Sequence, residues 1–262
     1  MTLLIAAAQM ASRGGSPAEN LEKAADFASR AAAEGASIVC FHEQFLTGWS
    51  PVCPPQEEDP DGPTVTALCR LARENGIAVL GSFTERHPGR PRNAAVAIGA
   101  GGEVLARYAK MHLFSPGGED RYYSPGESAA TFLVEGMAFG IAVCYDLRFP
   151  ELFRVYADLG AECVLVPAAW PCSRIRHWEL FIAVRALENQ YYVAGINAAG
   201  GESDRAYCGN SLIADPDGET VCRGGAGEEL LFARLDPGSI VRARERIPAQ
   251  KDRKRDLYHK LL

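Results

Sequence analysis

The segment MAFGIAVCYDLRFPE, residues 137–151, carries the clearest structural pattern of the chain. Its first seven residues form an apolar run after Gly136, which is typical of a buried β-strand. From Pro150 onward apolar side chains recur at helical spacing, and proline is tolerated in the first turn of a helix. The pattern therefore predicts a strand and a helix, with Cys144 on the turn between them.

Cys144 occupies a position where a thiol can act as a nucleophile. A cysteine on a strand-to-helix turn is held rigidly near the positive end of a helix dipole, which lowers the pKa of its thiol. A free cysteine in an apolar segment is also often buried and inert. The position alone favours neither interpretation, so the other groups that the fold brings to the sulfur must decide between them.

Strand and helix signals alternate along the rest of the chain. A strand is predicted at residues 3–8, followed by a helix at 17–33 that Ser16 would cap and Gly35 would end. The other predicted segments are strands at 37–41, 77–84, 93–98, 103–109, 162–166 and 191–197, helices at 65–74 and 173–190, and a terminal meander with its turn at 215–218.

This order describes two similar halves, each a mixed sheet with helices on one face. Two such sheets stacked on their bare faces would form an α/β fold, a four-layer α-β-β-α sandwich. A doubly wound sheet would show the same periodicity. The pattern argues against an all-α or an all-β fold.

The composition is that of an ordinary globular domain. The 262 residues are 47% hydrophobic and no linker divides them, so we expect one domain over residues 1–262. The net charge of -6 argues against nucleic acid as a partner. The basic cluster at 251–255 predicts a tail, from about residue 245, that is solvated or makes subunit contacts.

The sequence shows no sign of a membrane segment or of a metal site. No apolar run approaches the roughly 18 residues of a membrane helix, and the first residues lack a basic leader, so we expect a cytoplasmic protein with no membrane partner. The eight cysteines and five histidines show neither a C-x-x-C pair nor zinc-ligand spacing. We therefore expect free thiols and no bound metal.

Four further polar residues could join Cys144 in a site. Glu43 follows a predicted strand, although a lone loop carboxylate more often only caps the backbone. Lys110 ends a strand in an apolar stretch, where it is costly to bury unless paired, and Glu119 lies on a glycine-opened loop. Together, a carboxylate could serve the thiol as a base and a lysine could stabilise an oxyanion. His112 is a candidate for the pocket wall, although packing around the site is its simpler role.

Three blocks of the sequence resemble those of the nitrilase superfamily of carbon–nitrogen hydrolases. They are a glutamate block at Phe41–Trp49, a lysine block at Tyr108–Phe114 and a cysteine block at Gly140–Glu151. Shorter segments at 8–9, 185–189 and 252–253 also fit, so the resemblance covers nearly the whole chain. One departure is His42, which stands where the family usually has proline.

The resemblance implies a role for each group of the site. Cys144 would be the nucleophile, Glu43 the general base and Lys110 the stabiliser of the transition state. Glu119 resembles a second glutamate found in many members, although it lies one residue further from the lysine than in some amidases. No metal or organic cofactor is required.

The cysteine block is most similar to that of the small amidases, including omega-amidases. The resemblance therefore implies hydrolysis of a small non-peptide carboxamide to an acid and ammonia through a thioester. The alternatives are an N-carbamoyl hydrolase, a nitrilase, a thiol acyltransferase and a noncatalytic binding relative.

The candidate residues for substrate binding are Tyr145, Arg148, Trp170 and His112. Arg174 could replace Arg148 in binding a substrate carboxylate, and each arginine could instead form a salt bridge on its helix.

The resemblance also implies a homodimer or a larger homo-oligomer. Members of the family pair through the helix after the cysteine and through the late helix, here residues 149–159 and 173–190. The sequence predicts that large apolar residues on these helices form the contact: Phe153, Tyr156, Trp178 and Phe181.

Overall fold

The computed structural model describes residues 2–50, 57–200 and 207–261. The strands, in chain order, are β1 (Leu3–Gln9), β2 (Ile38–Phe41), β3 (Ala78–Glu85), β4 (Arg92–Ile98), β5 (Val104–Ala109), β6 (Thr131–Val134), β7 (Met137–Ile141), β8 (Cys163–Ala168), β9 (Tyr192–Asn197), β10 (Ala199–Gly200), β11 (Tyr207–Cys208), β12 (Leu212–Ala214), β13 (Thr220–Arg223) and β14 (Glu229–Leu235). The α-helices are α1 (Pro17–Ala33), α2 (Pro63–Asn75), α3 (Glu119–Tyr122), α4 (Pro150–Asp158), α5 (Ile175–Asn189), α6 (Pro237–Arg246), α7 (Ala249–Asp252) and α8 (Arg255–Leu261).

Two six-stranded mixed sheets have the same topology. The first has the order β14-β1-β2-β3-β4-β5 and the second β6-β7-β8-β9-β12-β13. In each sheet the second, third and fourth strands are parallel, and the other neighbours are antiparallel. The predicted similarity of the two halves is therefore confirmed at the level of strand pairing.

The sheets stack in the middle of the molecule with helices on both outer faces. Alternate residues of the first sheet, such as Ile5 and Cys40, belong to the core shared with the second sheet. Their neighbours Ala6 and Val39 pack instead against α1 and α2. This alternation follows from the period of two in a strand. The predicted four-layer α-β-β-α sandwich is confirmed.

Two glycines let the helices of the second half approach their sheet closely. A Cβ on Gly140 of β7 would lie 2.6 Å from the ring of Tyr156, and a Cβ on Gly195 of β9 would lie 2.4 Å from the ring of Trp178. Both aromatic side chains are fully buried. They therefore face the sheet, and the prediction that Tyr156 and Trp178 form a subunit contact is wrong.

The exposed apolar residues of α4 and α5 lie on the other side of these helices. Phe153 is also fully buried, and Phe181 is half-buried. The side chains that do reach the surface share spacings of three and four residues: Val155 and Leu159 on α4, and Leu180, Val184 and Leu187 on α5. The predicted face exists, but different residues form it.

The helix predicted at residues 17–33 has those bounds, and Gly35 follows it with a φ of +78°. The side chain of Ser16 makes no capping hydrogen bond, so this part of the prediction is wrong. Helix α5 begins later than predicted because Cys172–Arg174 forms a 3₁₀ turn before it.

The predicted terminal meander is also wrong in part. Strands β12 and β13 form the expected hairpin, but β14 leaves their sheet and pairs with β1, with Leu3 opposite Leu235. In the first sheet β14 takes the place that β6 has in the second. A local pattern of strands and turns does not specify which sheet a strand joins, since distant pairing decides it.

The tail beyond residue 245 packs partly on its own subunit. Arg253 and Arg255 each lie 2.6 Å from the Asp158 carboxylate at the end of α4. No helix in the described part of the chain is long and apolar enough to cross a membrane.

Candidate active site

Cys144 begins a 3₁₀ turn, Cys144–Arg148, directly after β7 and before α4. Its φ is +47°, a conformation that non-glycine residues adopt rarely and that is often found at functional sites. Asp146 holds the turn, because its carboxylate accepts from the backbone N–H of Val143 at 2.8 Å and its own N–H donates to the Val143 carbonyl at 3.0 Å. The predicted strand, turn and helix around the cysteine are therefore confirmed.

Glu43, Lys110 and Glu119 form one buried charge cluster. The ammonium of Lys110 lies 2.8 Å from Oε1 of Glu43 and 2.9 Å from Oε2 of Glu119. All three side chains have 0% exposure. Charges are buried at this depth only when they are paired and hydrogen-bonded, so these three residues depend on each other.

Two backbone N–H groups and the side chain of Asn93 complete the hydrogen bonding of the cluster. The N–H of Ala169, which follows β8, donates to Oε2 of Glu43 at 3.0 Å. The N–H of Phe114 donates to Oε2 of Glu119 at 2.6 Å. Asn93 on β4 donates from Nδ2 to both glutamates, at 2.7 Å to Glu43 and 3.0 Å to Glu119.

The interactions between the charged groups of the cluster set the protonation states of Lys110 and Glu119. Burial opposes the charge of Lys110, but the carboxylates of Glu119 and Glu43 outweigh it and raise the lysine pKa well above its usual value. Burial also opposes ionisation of Glu119, but Lys110 and the N–H of Phe114 lower its pKa below 4.5. Lys110 is thus an ammonium and Glu119 a carboxylate at neutral pH.

The thiol of Cys144 has a raised pKa, contrary to the expectation from its position before a helix. Burial is the largest cause, and the negative charge of the Glu43 carboxylate raises the pKa further. The Lys110 ammonium acts in the opposite direction and does not compensate. The resting sulfur is therefore protonated, and it adjoins the carboxylate that could accept its proton.

Cys144 also lines a cavity of about 190 Å³. Tyr145, Arg148 and Trp170, which are candidates for substrate binding, line it. Residues that the sequence analysis did not assign to the pocket also line it, and they include Trp49, Phe114, Ser173 and Tyr207. Its wall is thus largely aromatic, with two arginines, Arg148 and Arg174, as its charged groups.

The two arginines are held by aromatic rings. The guanidinium of Arg148 lies 4.9 Å from the ring centroid of Trp170, and that of Arg174 lies 5.2 Å from that of Phe114. Neither arginine forms an ion pair with a carboxylate of the described residues, so the predicted alternative of a salt bridge on the helix is not observed. Both positive charges can meet an anion in the cavity.

His112, a candidate for substrate binding, is not among the residues that line the cavity. Its Nδ1 lies 2.8 Å from Oδ1 of Asp146, and its ring stacks on Phe149 with centroids 3.7 Å apart. It belongs to the packing beneath the cysteine turn. A histidine in an apolar segment gives no sequence signal that separates these two roles.

His42 is also buried, and burial lowers its pKa to about 4. Its Nε2 lies 2.9 Å from Oγ of Ser12 and its Nδ1 3.0 Å from the carbonyl of Glu43. The imidazole therefore contacts the backbone of Glu43 and not its carboxylate.

The family of the chain follows from comparison with known proteins. Residues 4–245 match the carbon–nitrogen hydrolase family. The chain belongs to this family, which is the nitrilase superfamily. The resemblance inferred from the three sequence blocks is thereby confirmed.

Relatives of known activity and structure agree with this result. The 2-oxoglutaramate amidase of Bacillus subtilis is 32% identical over 93% of this chain and 95% of its own length. The omega-amidase NIT2-A of Xenopus laevis is 34% identical over 92% of this chain and 91% of its own. The chain is therefore a hydrolase of the amidase type.

A solved structure shows the same fold with a reactive cysteine. The amidase of Nesterenkonia sp. AN1, a nitrilase-superfamily member, was crystallised as a glutamate-to-glutamine mutant that shows the result of Michael addition of acrylamide at its active-site cysteine. It superposes with a TM-score of 0.88 at 29% identity, over 99% of this chain and 100% of its own.

Proposed function

We propose that this enzyme uses Cys144, Glu43 and Lys110 to hydrolyse a small carboxamide that carries a carboxylate at its other end. The observation that supports the reaction is the buried cluster of Glu43 and Lys110 beside Cys144, whose thiol is protonated and lines the cavity. The observation that supports the substrate is the pair of arginines in the cavity wall, which have no carboxylate partner within residues 2–50, 57–200 and 207–261.

The first half of the reaction forms a thioester. Glu43 takes the proton of the Cys144 thiol while the sulfur attacks the amide carbon, so that no stable thiolate is needed. The ammonium of Lys110 and the backbone N–H of Tyr145 stabilise the oxyanion, and a preorganised donor of this kind contributes about 3–4 kcal/mol. The C–N bond then breaks, and Glu43 returns the proton to the departing ammonia.

The second half consumes one water molecule. Glu43 or Glu119 takes a proton from water as the oxygen attacks the thioester carbon. The C–S bond breaks, the sulfur regains a proton and the acid leaves. Every proton movement involves residues of the buried cluster, so no metal or organic cofactor is part of the proposed reaction.

The substrate class is tested by ammonia release from four kinds of compound. We expect omega-amides of dicarboxylic or α-keto acids to give a higher kcat/KM than neutral aliphatic amides, N-carbamoyl compounds or nitriles. If a neutral amide, a carbamoyl compound or a nitrile gives the highest value, the proposed substrate class is wrong. A product yield that rises with added hydroxylamine would favour the acyltransferase, and the lack of any covalent adduct in mass spectrometry would favour a noncatalytic relative.

Arginine variants test how the carboxylate is bound. Arg148→Met and Arg174→Met should raise KM for the omega-amide, because each removes a positive charge from the cavity, and should leave KM for a neutral amide unchanged. Arg176→Met is the matched control, since Arg176 is exposed on α5 and does not line the cavity. Equal KM changes for charged and neutral amides would contradict the role in carboxylate binding.

The exposed apolar face of α4 and α5 supports a homodimer. Leu180 and Val184 lie one turn apart on α5, beside Val155 of α4, and a patch of this kind is typical of a protein–protein contact. Leu180→Asp should lower the mass measured by light scattering, whereas Leu133→Asp, on the exposed strand β6, should not. An unchanged mass in Leu180→Asp would contradict this interface.

The predicted cytoplasmic location and the single domain over 1–262 are part of the same proposal. The seven cysteines that the structure describes are free thiols, as a reducing compartment would maintain them.

A further inference from the structure

Asn93 adds a second bridge between the two carboxylates that the Lys110 ammonium already joins. Its Nδ2 donates one hydrogen bond to Oε1 of Glu43 and another to Oε1 of Glu119. The Asn93 carbonyl accepts from the backbone N–H of Lys110 at 2.8 Å. One residue of β4 therefore contacts all three charged residues and is itself fully buried.

The cluster has an excess of negative charge that needs such a donor. Two carboxylates face one ammonium, and none of the three side chains reaches solvent. Carboxylates that share a site resist being ionised together unless donors compensate them. Lys110 supplies one positive charge, and the amide of Asn93 supplies two N–H groups without adding charge.

The oxygen of the Asn93 side-chain amide indicates that the two N–H donors of this amide matter more than its acceptor. Oδ1 of Asn93 is buried and has no hydrogen-bond partner among the described residues. An unpaired buried oxygen costs free energy, which an apolar residue of the same shape would avoid. The amide therefore suits this position because of its two N–H groups, and a role in packing alone would be better served by leucine.

We infer that Asn93 is a positioning residue that joins Glu43 and Glu119 into one unit and holds both carboxylates in place while the enzyme works. The inference rests on the proposed function, in which Glu43 must be ionised to accept the thiol proton. It goes beyond the proposed function, because it makes the positions of Glu43 and Glu119 depend on one neutral side chain. Asn93 acts through the glutamates and does not touch the substrate in this proposal.

The test compares Asn93 with a second buried amide. Gln44 adjoins Glu43 in sequence, and its Nε2 donates to two groups, Oγ1 of Thr84 and the hydroxyl of Tyr123, each at 3.2 Å. Its Oε1 is also buried and unpaired among the described residues. Gln44→Leu thus removes an amide of the same kind whose partners are neutral.

We expect Asn93→Leu to lower kcat/KM roughly 10- to 100-fold at pH 7, mainly through kcat. The acid limb of its pH profile should move to higher pH, because Glu119 loses a donor that stabilises its charged form. Asn93→Asp should lose more at pH 7 and recover relative to Asn93→Leu as the pH falls, since a protonated aspartate can donate. Gln44→Leu should keep the acid limb of the unmodified enzyme.

Two further experiments test the role of Asn93 if turnover is absent or if Asn93→Leu does not fold. The rate at which iodoacetamide alkylates Cys144, followed by mass spectrometry against pH, reports on the carboxylates without turnover. If the unmodified enzyme releases no ammonia from any amide, the proposed function fails, and the alkylation profiles alone decide on Asn93. If Asn93→Leu does not fold, Asn93→Ser, which can donate to one carboxylate only, should shift the acid limb in the same direction by less.

The inference would be overturned by an acid limb in Asn93→Leu that matches the unmodified enzyme. It would also be overturned if Gln44→Leu shifted the limb equally, because a general loss of packing would then explain both variants.

Discussion

The two halves of the molecule, residues 3–122 with strand β14 and residues 131–223, share one sheet topology but supply different chemistry. The first half supplies every charged side chain of the cluster, together with Asn93. The second half supplies the sulfur, the backbone N–H of Ala169 and one wall of the cavity, which includes Arg148. Equivalent strands thus end in unlike groups: β2 is followed by Glu43, and β8 by Ala169 and Trp170.

The difference shows how charge can be buried without disturbing the fold. The carboxylates and the ammonium neutralise one another largely within the first half, so the second half can bring a neutral thiol to them. A hydrogen bond across the halves, from the N–H of Ala169, orients the carboxylate of Glu43. The reactive arrangement therefore exists only where the halves meet.

The largest effect is expected from the second half. Cys144→Ala should lower kcat by at least about 10³-fold, because it removes the nucleophile, and should leave the free energy of unfolding nearly unchanged. Steady-state ammonia release and urea unfolding measure the two quantities. Cys222→Ser, a half-buried cysteine on β13 of the same sheet, is the control and should keep full activity. Substantial turnover by Cys144→Ala would refute the assignment.

Removing a charged side chain from the first half should also destabilise the fold. Lys110→Met leaves two buried carboxylates without their cation and should lower the free energy of unfolding by about 3–5 kcal/mol. Adding Glu119→Gln should restore part of this loss, because the two residues interact directly. The control is Arg70→Met on α2, whose partner Glu74 is exposed; it should cost less than about 1 kcal/mol in urea unfolding. Equal costs in the two single variants would show that the cluster is not mutually dependent.

We expect acid pH to lower the free energy of unfolding through a residue of the first half, His42. The folded pKa of His42 is about 4 and its usual value 6.5, so the unfolded chain takes up the proton first as the pH falls. The stability that this residue contributes is present above pH 6.5 and is lost between pH 6.5 and 4, by up to about 3 kcal/mol.

His42→Asn should therefore show a smaller decrease of unfolding free energy between pH 7 and pH 4.5 than the unmodified protein. His177→Asn is the control, because His177 is exposed on α5 of the second half. Parallel pH dependences in all three proteins would contradict the prediction.

A smaller effect is expected from the link between the halves. Gln9 ends β1, and its side chain accepts from the N–H of Ser211 at 2.7 Å and donates to the carbonyl of Gly225 at 2.9 Å. Gln9→Leu leaves the buried N–H of Ser211 unpaired and should cost about 2 kcal/mol in urea unfolding. Gln250→Leu, whose side chain is half-buried and donates only to carbonyls at the end of α5, should cost less. A cost in Gln9→Leu no greater than in Gln250→Leu would mean that this link is not important for stability.

Much of the fold and the core of the site can be predicted from the sequence, because both depend on local patterns. Alternating strands and helices define the two halves, and three blocks containing Glu43, Lys110 and Cys144 identify the buried cluster. The loop setting of Glu119 makes it a candidate, and the structure places it on the same ammonium.

The remaining features depend on contacts between distant segments. Asn93 precedes a run of small apolar residues, which indicates only the start of a strand, and Ala169 acts through its backbone, which any residue would supply. The helix after Cys144 predicts a lowered thiol pKa, but burial and Glu43 dominate it. The role of His112 does not follow from its own segment, because its partner Asp146 lies on another block.

Strand β14 has a consequence for how the protein is made. During synthesis β1 emerges first, yet its antiparallel neighbour is complete only when Leu235 has been added. Until then the open edge of β1 exposes unpaired backbone groups along an apolar strand, the kind of surface that promotes aggregation of nascent chains. Ribosome-bound intermediates that end before residue 229 should therefore need chaperone protection, which longer ones would not require.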